Sequence, residues 1–263
     1  MAECREHAPP SAAVNAGLPR AQADWALFLD FDGTLVEIAE HPDAVVVPAR
    51  LPALLSALVE RLDGAVAVVS GRDLAGLDRL LDGALPALAG IHGLERRDSR
   101  GRLYRPVDHS ARFDALRTAL AGFVERHPGT SMEDKGNALT LHYRGAPGLA
   151  DAAAALMQQH REALGDEFRL QSGKQVLEIR PTGAHKGSVV EAFMAEAPFR
   201  GRTPVFIGDD VTDEDAFRAV NRLGGHSVRV GRDRATAARH EIDSVNEALQ
   251  WLASLARQLT ATP

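Results

Sequence analysis

The chain has 263 residues, of which 45% are hydrophobic and 25% are charged, with a formal net charge of −6 and a single cysteine. These values are typical of a mildly acidic globular protein with enough apolar residues for one large or two modest domains. They exclude an intrachain disulfide and a basic nucleic-acid-binding face, and no apolar run reaches the roughly 18 residues that a membrane-spanning helix needs. We therefore expect a cytoplasmic protein that binds neither nucleic acid nor membranes.

The first predicted elements are a flexible tail and a strand. Prolines and a glycine argue for a tail over residues 1–24. A buried strand is predicted at 26–29, and it leads directly into Asp30, Asp32 and a glycine turn. The two carboxylates repel each other, so one takes a proton or both meet a cation. Such a pair can supply a nucleophile and a proton-transfer group, and a solvated turn is the alternative interpretation.

A second buried strand, predicted at 65–69, ends in Ser70-Gly71-Arg72. A hydroxyl, an unencumbered backbone N–H and a guanidinium at a strand end can hold a phosphate group. The basic run 96–102 is interpreted as an exposed turn between strands. The other elements of this region, inferred from the spacing of apolar residues, are helices over 51–62 and 73–81 and a short strand over 88–91.

The organisation changes between residues 106 and 181, where two successive helix-and-hairpin units are predicted. Turn residues at Gly136-Asn137 and Gly173-Lys174 separate the strands of each hairpin. The pattern predicts a small α+β insert with an antiparallel sheet. Its predicted elements are helices over 113–125 and 149–164, and strands over 130–134, 138–144, 168–171 and 175–180.

The alternation of strands and helices then returns, which predicts a parallel sheet with helices on both faces. Lys186 begins a helical pattern, and a lysine there can neutralise an aspartyl-phosphate. A third apolar strand, around Val205, ends in Asp209, Asp210 and Asp213, whose oxygens suit a hard divalent cation. The remaining predicted elements are a helix over 214–220, a last strand over 228–231 and a helix over 245–259.

These motifs, in this order, resemble those of the haloacid-dehalogenase-superfamily phosphatases. The chain resembles the trehalose-6-phosphate phosphatases more closely, from about Trp25 to the C-terminus. The segments that carry this closer resemblance are Gly90–Glu95, Met132–Arg144 and Val176–Pro181.

The resemblance implies an α/β fold with two domains. A Rossmann-like parallel-sheet core would cover residues 25–105 and 182–263. An inserted α+β type 2 cap would cover residues 106–181. The connections between core and cap would lie at 105–106 and 181–183.

The resemblance also implies catalytic roles. Asp30 would be the nucleophile that becomes an aspartyl-phosphate, and Asp32 would protonate the leaving sugar oxygen and then activate water. Ser70 and Lys186 would bind phosphoryl oxygens, and Asp213 would orient ligands or Lys186. The implied catalytic residues are therefore Asp30, Asp32, Ser70, Lys186 and Asp213.

The implied cofactor is Mg²⁺. It would be held by the carboxylates of Asp30 and Asp209 and by the backbone carbonyl of Asp32. Asp210 is interpreted either as a supporting residue or as a solvated one.

The implied substrate is trehalose 6-phosphate, hydrolysed to trehalose and phosphate. Phe31 is expected to contribute only its backbone, and Arg72 to touch phosphate, sugar or Glu178. His92 and His142 are either substrate contacts or structural residues. The expected substrate-binding residues are Asp30, Phe31, Asp32, Ser70, Gly71, Arg72, Glu133, Lys135, Arg144 and Glu178. For the last four, exposed cross-strand ion pairs are the alternative to sugar contacts.

Several other functions stay open at this point. Another type 2-capped sugar phosphatase would act on sucrose 6-phosphate or a mannosyl phosphate with the same chemistry. A phosphomutase or a non-catalytic sugar-phosphate sensor would use the same fold, but a sensor would not need the acid/base carboxyl of Asp32. A functional pairing with a trehalose-6-phosphate synthase is also open.

Overall fold

The structure, a computed structural model, describes residues 17–39, 41, 44–104, 111–136, 138–232 and 234–259. Most of the expected tail and the expected connection at 105–106 lie outside these residues. The same holds for Asn137, the second turn residue of the first predicted hairpin.

The described residues form twelve strands and seven α-helices. The strands are β1 (Trp25–Leu29), β2 (Val66–Val69), β3 (Ala87–Gly90), β4 (Glu95–Arg97), β5 (Leu103–Tyr104), β6 (Ser131–Asp134), β7 (Leu139–His142), β8 (Phe168–Gly173), β9 (Val176–Pro181), β10 (Thr203–Gly208), β11 (His226–Val230) and β12 (His240–Ile242). The helices are α1 (Leu51–Arg61), α2 (Leu74–Leu80), α3 (Ala111–Arg126), α4 (Ala150–Leu164), α5 (Lys186–Met194), α6 (Glu214–Arg222) and α7 (Val245–Gln258).

Eight strands form one sheet in the order β12-β11-β10-β1-β2-β3-β4-β5. The six strands from β12 to β3 are parallel, whereas β4 and β5 are antiparallel additions. Every residue of β1 and β2 is buried, as expected for central strands covered on both faces. The crossovers from β1 to β2 and from β10 to β11 run in opposite directions, so right-handed connections place α1 and α6 on opposite faces. The direction in which successive strands are added to the sheet reverses between β1 and β10, and ligands bind at such a switch point.

The other four strands form a fully antiparallel sheet in the order β6-β7-β9-β8. One face of this sheet is apolar, and Leu139, Leu141 and Ile179 pack there with residues of α3 and α4 such as Phe113 and Met157. The opposite face is polar. Glu133, Thr140, Glu178 and Gln171 are paired in register across all four strands and form a row on that face.

The predicted elements are therefore largely confirmed, including the α+β insert, while its limits as a separate domain stay a prediction. One interpretation was wrong: the strand at 226–230 is not the last, because the short β12 pairs with it in parallel. The turn predicted over the basic run is confirmed between β4 and β5, but Arg96 and Arg97 lie in β4 and Asp98 is 2% exposed. The Asp98 carboxylate accepts hydrogen bonds from the backbone of the turn and from Arg102, which keeps this acid inside.

Candidate active site

The predicted motifs meet at the carboxyl ends of the central strands. β1 delivers Asp30, β2 delivers Ser70 and β10 delivers Asp209, while Lys186 begins α5. The Nζ atom of Lys186 lies 2.6 Å from Asp30 Oδ1 and 2.6 Å from Asp213 Oδ1. All three of these side chains are at most 5% exposed. Residues that are 156 positions apart in the sequence thus form one buried ionic group.

The electrostatics of this group follow from its burial. Burial raises the pKa of Asp30 to about 6, against the opposing charge of Lys186. Burial and the charge of Asp30 raise the pKa of Asp213 to about 7. Burial would by itself lower the pKa of Lys186, but the carboxylates of Asp213 and Asp30 raise it above its usual range. Lys186 therefore stays protonated and supplies a fixed positive charge.

The side chain of Asp213 holds the turn that follows β10 through hydrogen bonds. Its Oδ1 accepts from Lys186, and its Oδ2 accepts the backbone N–H groups of Asp209 and Asp210 at 3.0 and 2.9 Å. A Cβ at Gly208 would lie 2.4 Å from the Asp213 carboxyl carbon, so glycine is required for this close approach. Both oxygens of Asp213 are engaged, which favours an orienting role over a metal-binding one.

In contrast to Asp213, Asp209 has a carboxylate oxygen that no hydrogen bond engages within the described residues. Its carboxylate packs over Gly33, where a Cβ would lie only 2.1 Å from Asp209 Oδ2 and where φ is +79°. Asp209 Oδ1 is buried and has no hydrogen-bond partner among the described residues. Burial, followed by the charge of Asp213, raises the pKa of Asp209 to about 6.

Oxygen atoms of Asp30, Asp209 and Asp213 all lie within 4.8 Å of one another. Crowded carboxylates with an unpartnered buried oxygen fit a hard divalent cation with oxygen ligands. This observation supports the expected metal site at Asp30 and Asp209.

The expected acid/base residue, Asp32, is held by the second motif. Arg72 donates from Nε and Nη2 to the two oxygens of Asp32, both at 2.7 Å. The hydroxyl of Ser70 accepts the backbone N–H of Arg72 at 3.2 Å. The Arg72 guanidinium lies 5.5 Å from the centre of the Phe31 ring. Phe31 therefore contributes its side chain as well as its backbone, contrary to the expectation from sequence.

Three of the four expected sugar-binding residues meet on the polar face of the four-stranded sheet. Lys135 Nζ lies 3.5 Å from Glu178 Oε1 and 3.8 Å from Glu133 Oε2. The Thr140 hydroxyl donates to Glu178 at 3.2 Å. Arg144 is exposed beyond the end of β7, and no hydrogen bond or ion pair within the described residues links it to this group. His142 Nε2 lies 3.5 Å from Glu133 Oε2, at the border of the same group.

Two further residues connect this polar face to the buried ionic group. His92 packs against the second motif, since a Cβ at Gly71 would lie 2.8 Å from its ring. Burial, together with the charges of Lys186 and Arg180, lowers the pKa of His92 to about 3. Arg180 is 3% exposed and donates from Nη2 to the Ala184 carbonyl at 3.0 Å.

Sequence reasoning assigned no role to Arg180, although this residue lies two positions beyond Glu178 on the same face of β9. His92 and Arg180 both line a cavity of about 440 Å³ that also reaches Lys186. The cavity is bordered by the four-stranded sheet on one side and by the turn around Thr212 on the other. A ligand in it would contact both parts of the molecule.

The fold and its converging motifs define the class: this is a haloacid-dehalogenase-like hydrolase with an additional antiparallel sheet. The sequence profile of the trehalose-phosphatase family matches residues 28–250, and the chain belongs to that family.

Individual relatives agree with this assignment. The chain is 48% identical over 208 residues to the probable trehalose-phosphate phosphatase of Sinorhizobium fredii strain NGR234, covering 79% of this chain and 78% of the relative. It is 44% identical over 234 residues to the trehalose-6-phosphate phosphatase of Escherichia coli K12, covering 89% and 87%. A crystal structure of Aspergillus fumigatus trehalose-6-phosphate phosphatase is 29% identical, with a TM-score of 0.64 and coverage of 88% and 92%. None of the helices in the described residues is long and apolar enough to cross a membrane.

Proposed function

We propose that this phosphatase hydrolyses trehalose 6-phosphate to trehalose and inorganic phosphate. The observation that carries the proposal is the buried Asp30–Lys186–Asp213 group, whose Lys186 lines a cavity that also reaches Gln171 and Arg180 of the four-stranded sheet. The buried group supplies phosphoryl-transfer chemistry, and the polar face supplies donors and acceptors for sugar hydroxyls. The expected cytoplasmic location and pairing with a synthase stay predictions.

The reaction proceeds in two transfers. A carboxylate oxygen of Asp30 attacks phosphorus while the bond from phosphorus to the sugar oxygen breaks, and Asp32 donates a proton to that oxygen. Asp32 then takes a proton from water as the water attacks the aspartyl-phosphate, which releases phosphate and regenerates Asp30. Lys186 and Ser70 hold the phosphoryl oxygens. Because Arg72 binds both oxygens of Asp32, this pair must loosen before Asp32 can reach the leaving oxygen.

The donor set fits Mg²⁺. Asp30 and Asp209 would hold it with one carboxylate oxygen each, together with the backbone carbonyl of Asp32. When bound, Mg²⁺ supplies positive charge that neutralises the transferring phosphoryl group. Asp213 would act indirectly, because its hydrogen bonds hold Lys186 and the backbone N–H of Asp209 in place.

The four-stranded sheet is proposed to select the sugar. Glu133, Lys135 and Glu178 present alternating charges on one face, an arrangement that pairs with several hydroxyls at once. Arg144 is proposed to join them when substrate is bound, since it lies exposed only two residues beyond the end of β7. A small anion such as free phosphate would not need this surface.

Phosphate release from a panel of substrates tests the proposal. The panel contains trehalose 6-phosphate, sucrose 6-phosphate, a mannosyl phosphate and an aryl phosphate, each with wild type and with Asp30→Asn as the inactive control. We expect the highest kcat/KM for trehalose 6-phosphate. A higher value for another disaccharide phosphate would replace the substrate, and no turnover of any of them would refute the phosphatase chemistry.

A further inference from the structure

Arg234 lies in the loop between β11 and β12 and reaches back to the turn that carries Asp209. Its Nη2 donates to the backbone carbonyl of Asp209, and its Nη1 lies 3.6 Å from Asp210 Oδ1. The guanidinium thus spans two consecutive residues of the fourth motif. No motif in the sequence points to this arginine.

The loop around Arg234 is fastened independently of its side chain. Arg229, a fully buried residue of β11, donates from Nη1 to the backbone carbonyl of Arg234. Glu214, at the start of α6, accepts from the Thr236 hydroxyl at 2.7 Å and from the Ala237 N–H at 2.8 Å. The backbone is therefore held at Arg234 and on its C-terminal side, so less backbone freedom is lost when the guanidinium binds the turn.

We propose that Arg234 is a positioning residue that orients Asp209 for the divalent cation. The inference rests on the metal site of the proposed function. The N–H of Asp209 is held by Asp213 Oδ2 and its carbonyl by Arg234, so both peptide groups that flank its Cα are fixed. With the backbone fixed, the Asp209 carboxylate remains packed over Gly33, with Oδ1 left without a partner among the described residues.

A purely electrostatic role of Arg234 predicts the opposite change in Mg²⁺ affinity when this residue is replaced. Arg234 carries a positive charge and lines a cavity of about 510 Å³ together with Gly33, Asp209 and Asp210. If its charge were all that mattered, it would repel a bound cation, and removing it would tighten Mg²⁺ binding. If positioning dominates, removing it weakens Mg²⁺ binding, as is typical when a residue that orients a metal ligand is lost.

The test is calorimetric titration of the full chain with Mg²⁺ in the absence of substrate. Arg234→Met keeps the apolar stem and removes all donors, and we expect its Kd for Mg²⁺ to rise about tenfold or more. Arg234→Lys keeps one donor group and should lie between Met and wild type. Arg232→Met is the matched control, because Arg232 belongs to the same loop, is 61% exposed and pairs with Asp243. Its Kd should equal that of wild type.

Thermal unfolding without Mg²⁺ shows whether each variant is folded. If Arg234→Met does not fold, the Kd of Arg234→Lys is compared with that of wild type instead. Unchanged or tighter Mg²⁺ binding in a folded Arg234 variant would overturn the inference. Failure of wild type to bind Mg²⁺ would instead overturn the proposed metal site itself. With substrate saturating, the positioning role also requires a higher Mg²⁺ concentration for half-maximal activity, with kcat recovering at excess Mg²⁺.

Discussion

His92 should make the stability of this protein depend on pH in a way that a single substitution removes. Its imidazole is buried, and this burial lowers its pKa from 6.5 to about 3 together with the positive charges of nearby residues. These residues are Lys186, Arg180, Lys135 and Arg169. The folded state therefore excludes a proton that the unfolded chain takes up below pH 6.5. The contribution of neutral His92 to the free energy of unfolding is fully present above pH 6.5 and is lost as the pH falls towards 3.

The magnitude follows from the size of the shift. At pH 5 the unfolded imidazole is protonated and the folded one is not, a separation of 1.5 pH units from 6.5. At about 1.4 kcal/mol per unit, the free energy of unfolding should fall by roughly 2 kcal/mol between pH 7.5 and pH 5 on account of His92. His92→Asn lacks this contribution, and asparagine tolerates the backbone φ of +52° at this position.

The assay is urea unfolding at pH 7.5 and pH 5 for wild type, His92→Asn and the control His160→Gln in α4. Only the difference between the two pH values is compared, so any pH-independent cost of the substitution cancels. We expect His92→Asn to reduce the pH dependence by about 2 kcal/mol and His160→Gln to leave it close to that of wild type. Equal pH dependence in wild type and His92→Asn would refute the reasoning. It would mean that burial and the neighbouring cations do not keep the His92 imidazole neutral in solution.

Three further predictions concern catalysis. Asp30→Asn should abolish turnover with unchanged circular dichroism, and near-native turnover would remove Asp30 as nucleophile. Activity should vanish with chelator, and Mg²⁺ affinity measured by calorimetry should fall as the pH drops through about 6, where Asp30 and Asp209 take up protons. Glu133→Ala or Glu178→Ala should each lower kcat/KM for trehalose 6-phosphate roughly 10- to 100-fold, about 1–3 kcal/mol, with a much smaller loss for an aryl phosphate. Equal losses on both substrates would contradict a role in sugar selection.

The parts of the site that the sequence predicted are those in which one local pattern carries both structure and chemistry. A run of apolar residues that ends in Asp30, Ser70 or Asp209 predicts both the strand and the polar group at its end. Parallel strands then bring their carboxyl ends to one edge, so the meeting of these residues needs no further information. The same holds for Lys186 at a helix start, since the crossover geometry returns that helix to the same edge.

The residues that sequence reasoning missed depend on contacts between segments far apart in the chain. Arg234 lacks any periodic or spacing signal, and the alternation that places Arg180 on the same face as Glu178 does not reveal what Arg180 contacts. Both roles appear only when a loop or a strand end is packed against another segment. β12 has three residues, too few for a pattern of alternation to register. Asp98 is polar and follows two arginines, so its burial depends on the hydrogen bonds of a turn that composition alone does not reveal.

The charges of the site explain why metal and protons compete there. Within the described residues, Asp30, Asp32, Asp209 and Asp213 form ion pairs with two cations, Lys186 and Arg72, while Arg234 balances the neighbouring Asp210. Burial first, and then the charges of neighbouring carboxylates, raise the pKa values of Asp30, Asp209 and Asp213 above the usual range of a carboxyl group. Two negative charges are thus left without a compensating cation when all four groups are ionised. A divalent cation removes this excess without protonating the nucleophile. The same excess would repel a phosphate dianion, so metal binding is expected to precede productive substrate binding.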